Sequence, residues 1–341
     1  MNLLPAPNFE HLLALRGPHG VYEHAEKSVP RIEGGYCTDD VARVALVLAR
    51  QGEKSLSFDL SDLLWSSMEF LELAQSPTGE FVNRRESSGD FELGATSNDW
   101  WGRAMWALGT IYAHGEDSGL RERARRTFES GAVVRSPWPR SMAFATLGAH
   151  EYLQRSPENA PARLLLEAGA SLLDRENVSA RWRWPEARLS YANAVLPEAL
   201  IAAGAFTGEG RLVERGLDQL RWLLERETPR GHLSVTPCTG RGPRDARRLF
   251  DQQPIEVAAM SDACVRAFAL TGDPVWRQGR ELCEMWFSGH NDLGVVMFDA
   301  DTGGGYDGLT ANGPNLNQGA ESTLALLSTQ QHARRVSMSS R

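Results

Sequence analysis

The chain has 341 residues, 42% of them hydrophobic and 23% charged, a net charge of −8 and four cysteines. That composition excludes a disordered chain, and the acidic balance argues against nucleic acid as a partner. No apolar run reaches the roughly 18 residues of a membrane span, Cys37, Cys238, Cys264 and Cys283 form no CxxC pair, and the N-terminus MNLLPAPNFEHLLALRG lacks the basic start and apolar core of a secretory signal.

The expectation is therefore a cytoplasmic protein with no membrane partner, no metal and no cofactor; oligomeric state is unreadable from the sequence. From the N-terminus, residues 7–16 (PNFEHLLALR) read as a short helix. Six later segments are rich in Ala, Gly, Leu and Met and nearly uncharged past their first turn: 38–50, 97–114, 138–154, 190–206, 253–271 and 317–331. A helix apolar all round is a buried one. Between them lie amphipathic segments at 59–75, 118–131, 160–176, 209–227 and 273–287, each with one apolar stripe and one charged face. Five outer helices do not match six inner ones, so 7–16 is expected to supply the sixth and close a ring. Short β-type runs broken by Gly, Ser or Asp precede the inner helices: GVYEH, GEFVNR with DFELG, RWRWPEARLSY, GHLSVTPC with RRLFDQ, and GVVMFDA with GGGYDGL. Only the third spacer is weak. The pattern predicts an all-α fold: one (α/α)6 barrel, or toroid, over 1–333, with alternating inner and outer helices, β-hairpins on one rim, and a flexible tail at 334–341.

This layout resembles the six-hairpin glycosidase superfamily over essentially the whole chain. The strings GGYCTDDVARVAL, DQQPIEVAAMSDA and GPNLNQGAESTLALL are similar to uncharacterised bacterial proteins described as glycosidase- or glycosyltransferase-like. The resemblance implies a sugar-binding funnel built from the inner-helix N-termini and their preceding loops, a carbohydrate substrate, and an inverting hydrolysis.

The first turns of the inner helices carry the polar residues such a funnel needs. They supply Tyr36, Asp39 and Asp40; then Asp99, Trp100, Trp101 and Arg103; then Trp138 and Arg140; then Tyr191, Asn193 and Glu198; then Gln253, Glu256 and Asp262; and last Asn317, Gln318 and Glu321. A lone first-turn acid usually serves the helix dipole, and Asp62 and Asp273 on outer helices are read that way. The pair Asp39–Asp40 doubles the charge where one suffices. Glu256, Asp262 and Glu321 lie in apolar helices, where an unpaired carboxylate is costly. Arg266, one turn after Asp262, is a candidate partner for it; Glu256 and Glu321 have none nearby in sequence. Thr38, Ser97 and Asn98 read as helix caps. Trp65, Trp106, Trp222, Trp276 and Trp286 read as core. Trp100, Trp101 and Trp138 suit the apolar face of a sugar ring, and Trp182 and Trp184 fit that role and a hydrophobic plug equally.

Glycosidic cleavage needs one protonated and one ionised carboxyl group. The expected catalytic set is Asp39, Asp40 and Asp99 facing Glu256 or Glu321, with Glu256 or Asp40 as the acid. Toroid epimerases use histidines near the sugar, and His114 and His150 fall at the far ends of their helices; Tyr36, Tyr191, His24, His232 and His290 are left as candidate bases, the three histidines reading as hairpin residues, and hydrolysis is therefore the leading expectation. A phosphorylase and a non-catalytic sugar-binding toroid are the alternatives. Asp299, Asp301 and Asp307 around Gly303–Gly305 have the wrong spacing for a calcium loop and read as a hairpin turn. The arginine-rich loop at 241–248 reads as solvated, with a phosphate or uronate role as the alternative.

Overall fold

The computed structural model describes residues 4–176 and 179–339. Among them are twelve α-helices and eight very short strands. The helices are α1 Glu10–Ala14, α2 Thr38–Gln51, α3 Phe58–Ala74, α4 Asp99–His114, α5 Ser118–Gly131 and α6 Pro139–Arg155. They continue as α7 Ala160–Leu173, α8 Val195–Thr207, α9 Gly210–Glu227, α10 Pro254–Thr271, α11 Pro274–Phe287 and α12 Ala320–Ser339. Strands β1 Arg16–Gly17, β2 Gly20–Val21, β3 Ala25–Glu26 and β4 Val29–Pro30 precede α2, with β5 Tyr36–Cys37 entering it. β6 is Arg84–Arg85, and β7 Gly308–Thr310 and β8 Gly313–Asn315 precede α12. Packing divides the chain into two compact units, Leu12–Ala25 with Val29–Leu173, and Met1–His11 with Glu26–Ser28 and Asp174–Arg341.

In the unit of α2 to α7, the apolar helices α2, α4 and α6 are buried along nearly their whole length. The amphipathic α3, α5 and α7 bury one face each. Close approach of α4 and α6 is a glycine effect: a Cβ at Gly102 would lie 2.2 Å from the Ser141 carbonyl oxygen, and one at Gly109 2.0 Å from that of Gly148. Ser141 Oγ donates to the carbonyls of Ser97 and Asn98 at 2.7 and 2.9 Å, which fixes the start of α6 against that of α4. The spacers are stitched to their neighbours as well: β5 pairs with β6, so the loop before α4 is tied to the strand entering α2. Among the described residues the spacers before α6, α8 and α10 contain no strand, and the latter two carry only isolated bridges.

The unit of α8 to α12 follows the same rule. α8 and α10 are buried all round, and α9 and α11 on one face. Bridges Leu189–Arg241 and Gln252–Leu309 join successive spacers. In this unit the N-terminal segment packs on the start of α12: His11 Nε2 lies 2.7 Å from the Gln318 carbonyl oxygen, and Lys27 N donates to Asn317 Oδ1 at 2.9 Å. The turn at 299–305 is a hairpin, in which the Asp299 carboxylate accepts from the backbone of Asp301 and Thr302.

Three boundaries differ from the sequence reading. The helix expected at 7–16 is only Glu10–Ala14. The helix expected from 190 starts at Val195, because residues 190–194 form a turn in which Ala192 has φ 45°. The segment expected to fray from 334 remains helical through Ser339, while positions 340–341 lie outside the described residues.

Candidate functional site

The first turns of α2, α4 and α6 assemble a charged cluster in their unit. Asp39 is the second residue of α2 and Asp99 the first of α4. Asp39 Oδ2 is 2.7 Å from Arg43 Nη2, and its Oδ1 is 2.9 Å from Arg103 Nε. Arg103 is buried, with its guanidinium carbon 4.0 Å from the centre of the Phe144 ring. Arg140, second in α6, is buried too. Asp99 is half-buried, and burial raises its pKa. Arg103 opposes the rise, Asp39 adds to it, and Arg140 and Arg43 also oppose it. The cluster thus sets a carboxyl group whose pKa is raised by burial beside one ion-paired to two arginines.

Asp40 has another duty. It is 2% exposed, is paired with Arg43, and lies 3.2 Å from Cys37 Sγ. Cys37, not Thr38, is the N-cap of α2, and Thr38 Oγ1 donates to the Val82 carbonyl instead. Glu23, Cys37 and Asp40 could each offer a ligand atom to one metal ion, but Arg84 pairs with Glu23 and Arg43 with Asp40, which neutralises the group. Asn98 occupies the cap position of α4 without a side-chain cap bond.

The aromatics divide by exposure. Trp138, the N-cap of α6, is 58% exposed and offers a flat apolar face at the helix start. Trp100 is half-buried, with its indole N–H on the Phe81 carbonyl at 2.8 Å. Trp101 is fully buried and belongs to the core. Tyr36 is core as well, stacked on Tyr22 with ring centres 4.8 Å apart. In the other unit, Trp182 and Trp184 are buried around Trp222, so the plug reading holds for both.

In the α8–α12 unit the expected site residues serve mostly as braces. Glu256, 4% exposed in the first turn of α10, receives the backbone N–H of Ala192 on Oε1. Its Oε2 receives the backbone N–H and the side-chain amide of Asn193 at 3.1 and 3.0 Å. These three donors hold the left-handed turn at Ala192 in place. Burial and the nearby Glu227 raise the Glu256 pKa, and the donors pull against them. Glu198 is buried and pairs with Arg266 Nε at 3.0 Å. Asp262 meets His332 and Ser328 Oγ from α12. Gln318 is buried, accepting from Thr302 Oγ1 at 2.7 Å and donating to Asp299 Oδ2 at 3.0 Å. Tyr191, Gln253, Asn317 and Glu321 remain half-buried and accessible.

Sequence reasoning missed a second polar cluster here. Asp292 accepts from Ser234 Oγ, His232 Nε2 lies 2.9 Å from its Oδ1, and Gln252 Nε2 lies 2.6 Å from its Oδ2. Burial pushes the Asp292 carboxyl up, but the hydrogen bonds from Ser234, His232 and Gln252 outweigh it and hold the pKa below the ordinary value. The residues come from two separate spacers, His232, Ser234 and Gln252 from 228–253 and Asp292 from 288–319, which leaves no local motif to read.

No protein-family model matches the chain, and no curated protein matches it in sequence. Solved structures do. A sugar epimerase from a ruminal bacterium aligns at a TM-score of 0.73 and 12% identity, covering 96% of this chain and 95% of its own. The cellobiose 2-epimerase of Bacillus thermoamylovorans aligns at 0.71 and 10% identity, with the same coverage of 96% and 95%. The GH76 α-mannanase of Bacteroides thetaiotaomicron aligns at 0.64 and 12% identity, covering 97% and 96%. The chain shares the (α/α)6 toroid fold with these proteins. No helix among the described residues is long and apolar enough to cross a membrane.

Proposed function

We propose that the protein is a carbohydrate-active enzyme that cleaves a glycosidic bond at the α2–α4–α6 helix starts. The observation that carries this reading is the pairing of half-buried Asp99, its pKa raised by burial, with Asp39, tethered by Arg43 and Arg103. The solved structures of the same fold, which include a GH76 α-mannanase, support it by analogy. Asp99 donates its proton to the leaving glycosidic oxygen as the C1–O bond breaks. Asp39 accepts a proton from the water that bonds to C1. Trp138 supplies the face on which a sugar ring stacks.

A second reading rests on His232 and Asp292. A half-buried histidine oriented by a buried carboxylate can remove a proton next to a carbonyl, the step an epimerase or isomerase needs. Two of the aligned structures are sugar epimerases by name.

A product screen on manno-, gluco- and uronide oligosaccharides in D2O, with and without phosphate, separates these readings. New reducing ends, lost in Asp99→Asn, support hydrolysis at Asp99; proton NMR of the fresh product then reads inversion. Sugar phosphate identifies a phosphorylase. An epimer carrying solvent deuterium, lost in His232→Ala but not in Asp99→Asn, overturns the hydrolase reading.

A further inference from the structure

The loop expected to be solvated at 241–248 is not uniformly so. Arg241 and Arg247 are half-buried, as is Arg226 at the end of α9, whereas Arg244 and Arg248 are exposed. The side chains of Arg226 and Arg247 and the backbone of Arg241 are held in place. Arg226 sits over two indoles, 4.7 Å from the ring centre of Trp182 and 5.0 Å from that of Trp222. Arg247 donates through Nη1 to the Arg226 carbonyl at 2.8 Å and through Nη2 to the Ser234 carbonyl at 3.1 Å. The Arg241 backbone is locked to Leu189 by two hydrogen bonds.

What these arginines lack is acceptors. Their three Nε atoms are buried without a hydrogen-bond partner among the described residues. A buried donor on a charged group left without an acceptor is costly, and like charges brought together add to that cost. The three cations repel one another: Arg241 and Arg247 both lower the pKa of Arg226, behind the larger effect of burial. The neighbouring acids do not balance them. Glu227 accepts from Thr236 N and Oγ1 at 2.8 and 2.7 Å, and burial pushes it up to about 7, so it carries only part of a charge at neutral pH. Asp292 is committed to Ser234, His232 and Gln252 and lies 3.5 Å from Arg230. Two guanidinium groups fixed by indole faces and carbonyls, with a third carried on an anchored backbone, and together short of acceptors, match a planar or tetrahedral oxyanion.

We propose that Arg226, Arg241 and Arg247 form a binding site for an oxyanion, the carboxylate or phosphoryl group of a small anionic ligand. Charge comes from all three, and the hydrogen-bonding ends from Arg241 and Arg226, since Arg247 spends both Nη atoms on carbonyls. The inference stands apart from the reaction at Asp99: failure to bind any anion overturns it and leaves the hydrolase reading untouched.

Calorimetric titration of the full chain at constant ionic strength tests it, with inorganic phosphate, D-glucuronate and D-glucose as probes. Saturable one-to-one binding of phosphate identifies a phosphoryl site, and of glucuronate a carboxylate site; glucose does not compete. Arg241→Gln weakens binding on the order of tenfold or more, the worth of one charged hydrogen bond. Arg248→Gln, which changes the same charge at an exposed position, leaves it within about twofold. Trp182 and Trp222 report occupancy by a change in fluorescence that saturates with the same constant. If Arg241→Gln does not fold, Arg241→Lys carries the same test, because an ammonium keeps the charge and loses the fork. The proposal is overturned if neither anion binds, if binding survives in the Arg241 variant, or if the two glutamine variants weaken binding alike, which is the mark of diffuse attraction.

Discussion

Glu256→Gln separates a brace from a catalyst. Glu256 meets three N–H donors spread over two oxygens: Ala192 N on one, Asn193 N and Nδ2 on the other. The Asn193 amide cannot turn round to help, because its Oδ1 already accepts from Ser190 N at 2.9 Å. Glutamine keeps the shape but offers one oxygen; its NH2 cannot accept and faces another N–H. At least one buried donor loses its acceptor, at roughly 1–3 kcal/mol, and the N–H to N–H approach brings the total to about 2–4 kcal/mol. With an unfolding entropy of about 2.1 cal/mol/K per residue, 341 residues give about 0.7 kcal/mol/K, so the melting temperature falls by roughly 3–6 °C. Differential scanning calorimetry reads this directly. Activity of the folded fraction falls far less than it does on removing an acid catalyst. An unchanged melting temperature with turnover abolished would refute the reasoning and return Glu256 to the catalytic role expected from the sequence.

Three further outcomes follow from the geometry. The acid must be protonated to act, so activity is lost as pH rises through the Asp99 pKa; burial sets that limb above the ordinary carboxylate range, and Arg140→Gln, which removes a cation that pulls the pKa down, moves the limb to higher pH in a pH–rate profile. Gly109→Ala places a Cβ 2.0 Å from the Gly148 carbonyl oxygen; the clash costs about 1–3 kcal/mol or more and outweighs the helix propensity gained, so thermal melting falls, whereas a rise would contradict the close packing of α4 on α6. Trp138→Ala removes a 58% exposed ring, so stability hardly changes while KM rises roughly fivefold, the equivalent of about 1 kcal/mol of stacking; an unchanged KM would place the sugar elsewhere.

The helices were legible because periodicity is local. The inner segments read at 38–50, 138–154 and 253–271 became Thr38–Gln51, Pro139–Arg155 and Pro254–Thr271, since an apolar run without charges has only the core to go to. The turn before α8 was not legible, because its conformation at Ala192 is set by a glutamate 64 positions later. The same separation hid the true partners of the buried acids. Asp262 had Arg266 one turn away as the local candidate; sequence spacing could not show that Asp262 also meets His332 on α12 or that Arg266 reaches Glu198 on α8. Spacing could name the rim carboxylates; it could not say which were already satisfied. Asp40 and Asp39 are adjacent in sequence, yet one is sealed against Cys37 and the other keeps a side chain 23% exposed. The arginine loop misled for a related reason. Its charge pattern looks solvated, and only the bridge from Leu189 to Arg241 and the carbonyls that anchor Arg247 draw those two residues inward.

The central claim is that Asp99 protonates the leaving group of a glycoside. Once the product screen names the sugar, the direct measurement is kcat/KM of Asp99→Asn on the natural linkage and on the 2,4-dinitrophenyl glycoside of the same sugar. A leaving group that departs as a stable anion needs no acid. The account predicts a loss of about 10²–10⁴ on the natural linkage and little loss on the dinitrophenyl glycoside. Equal losses on both, or none on either, would contradict it.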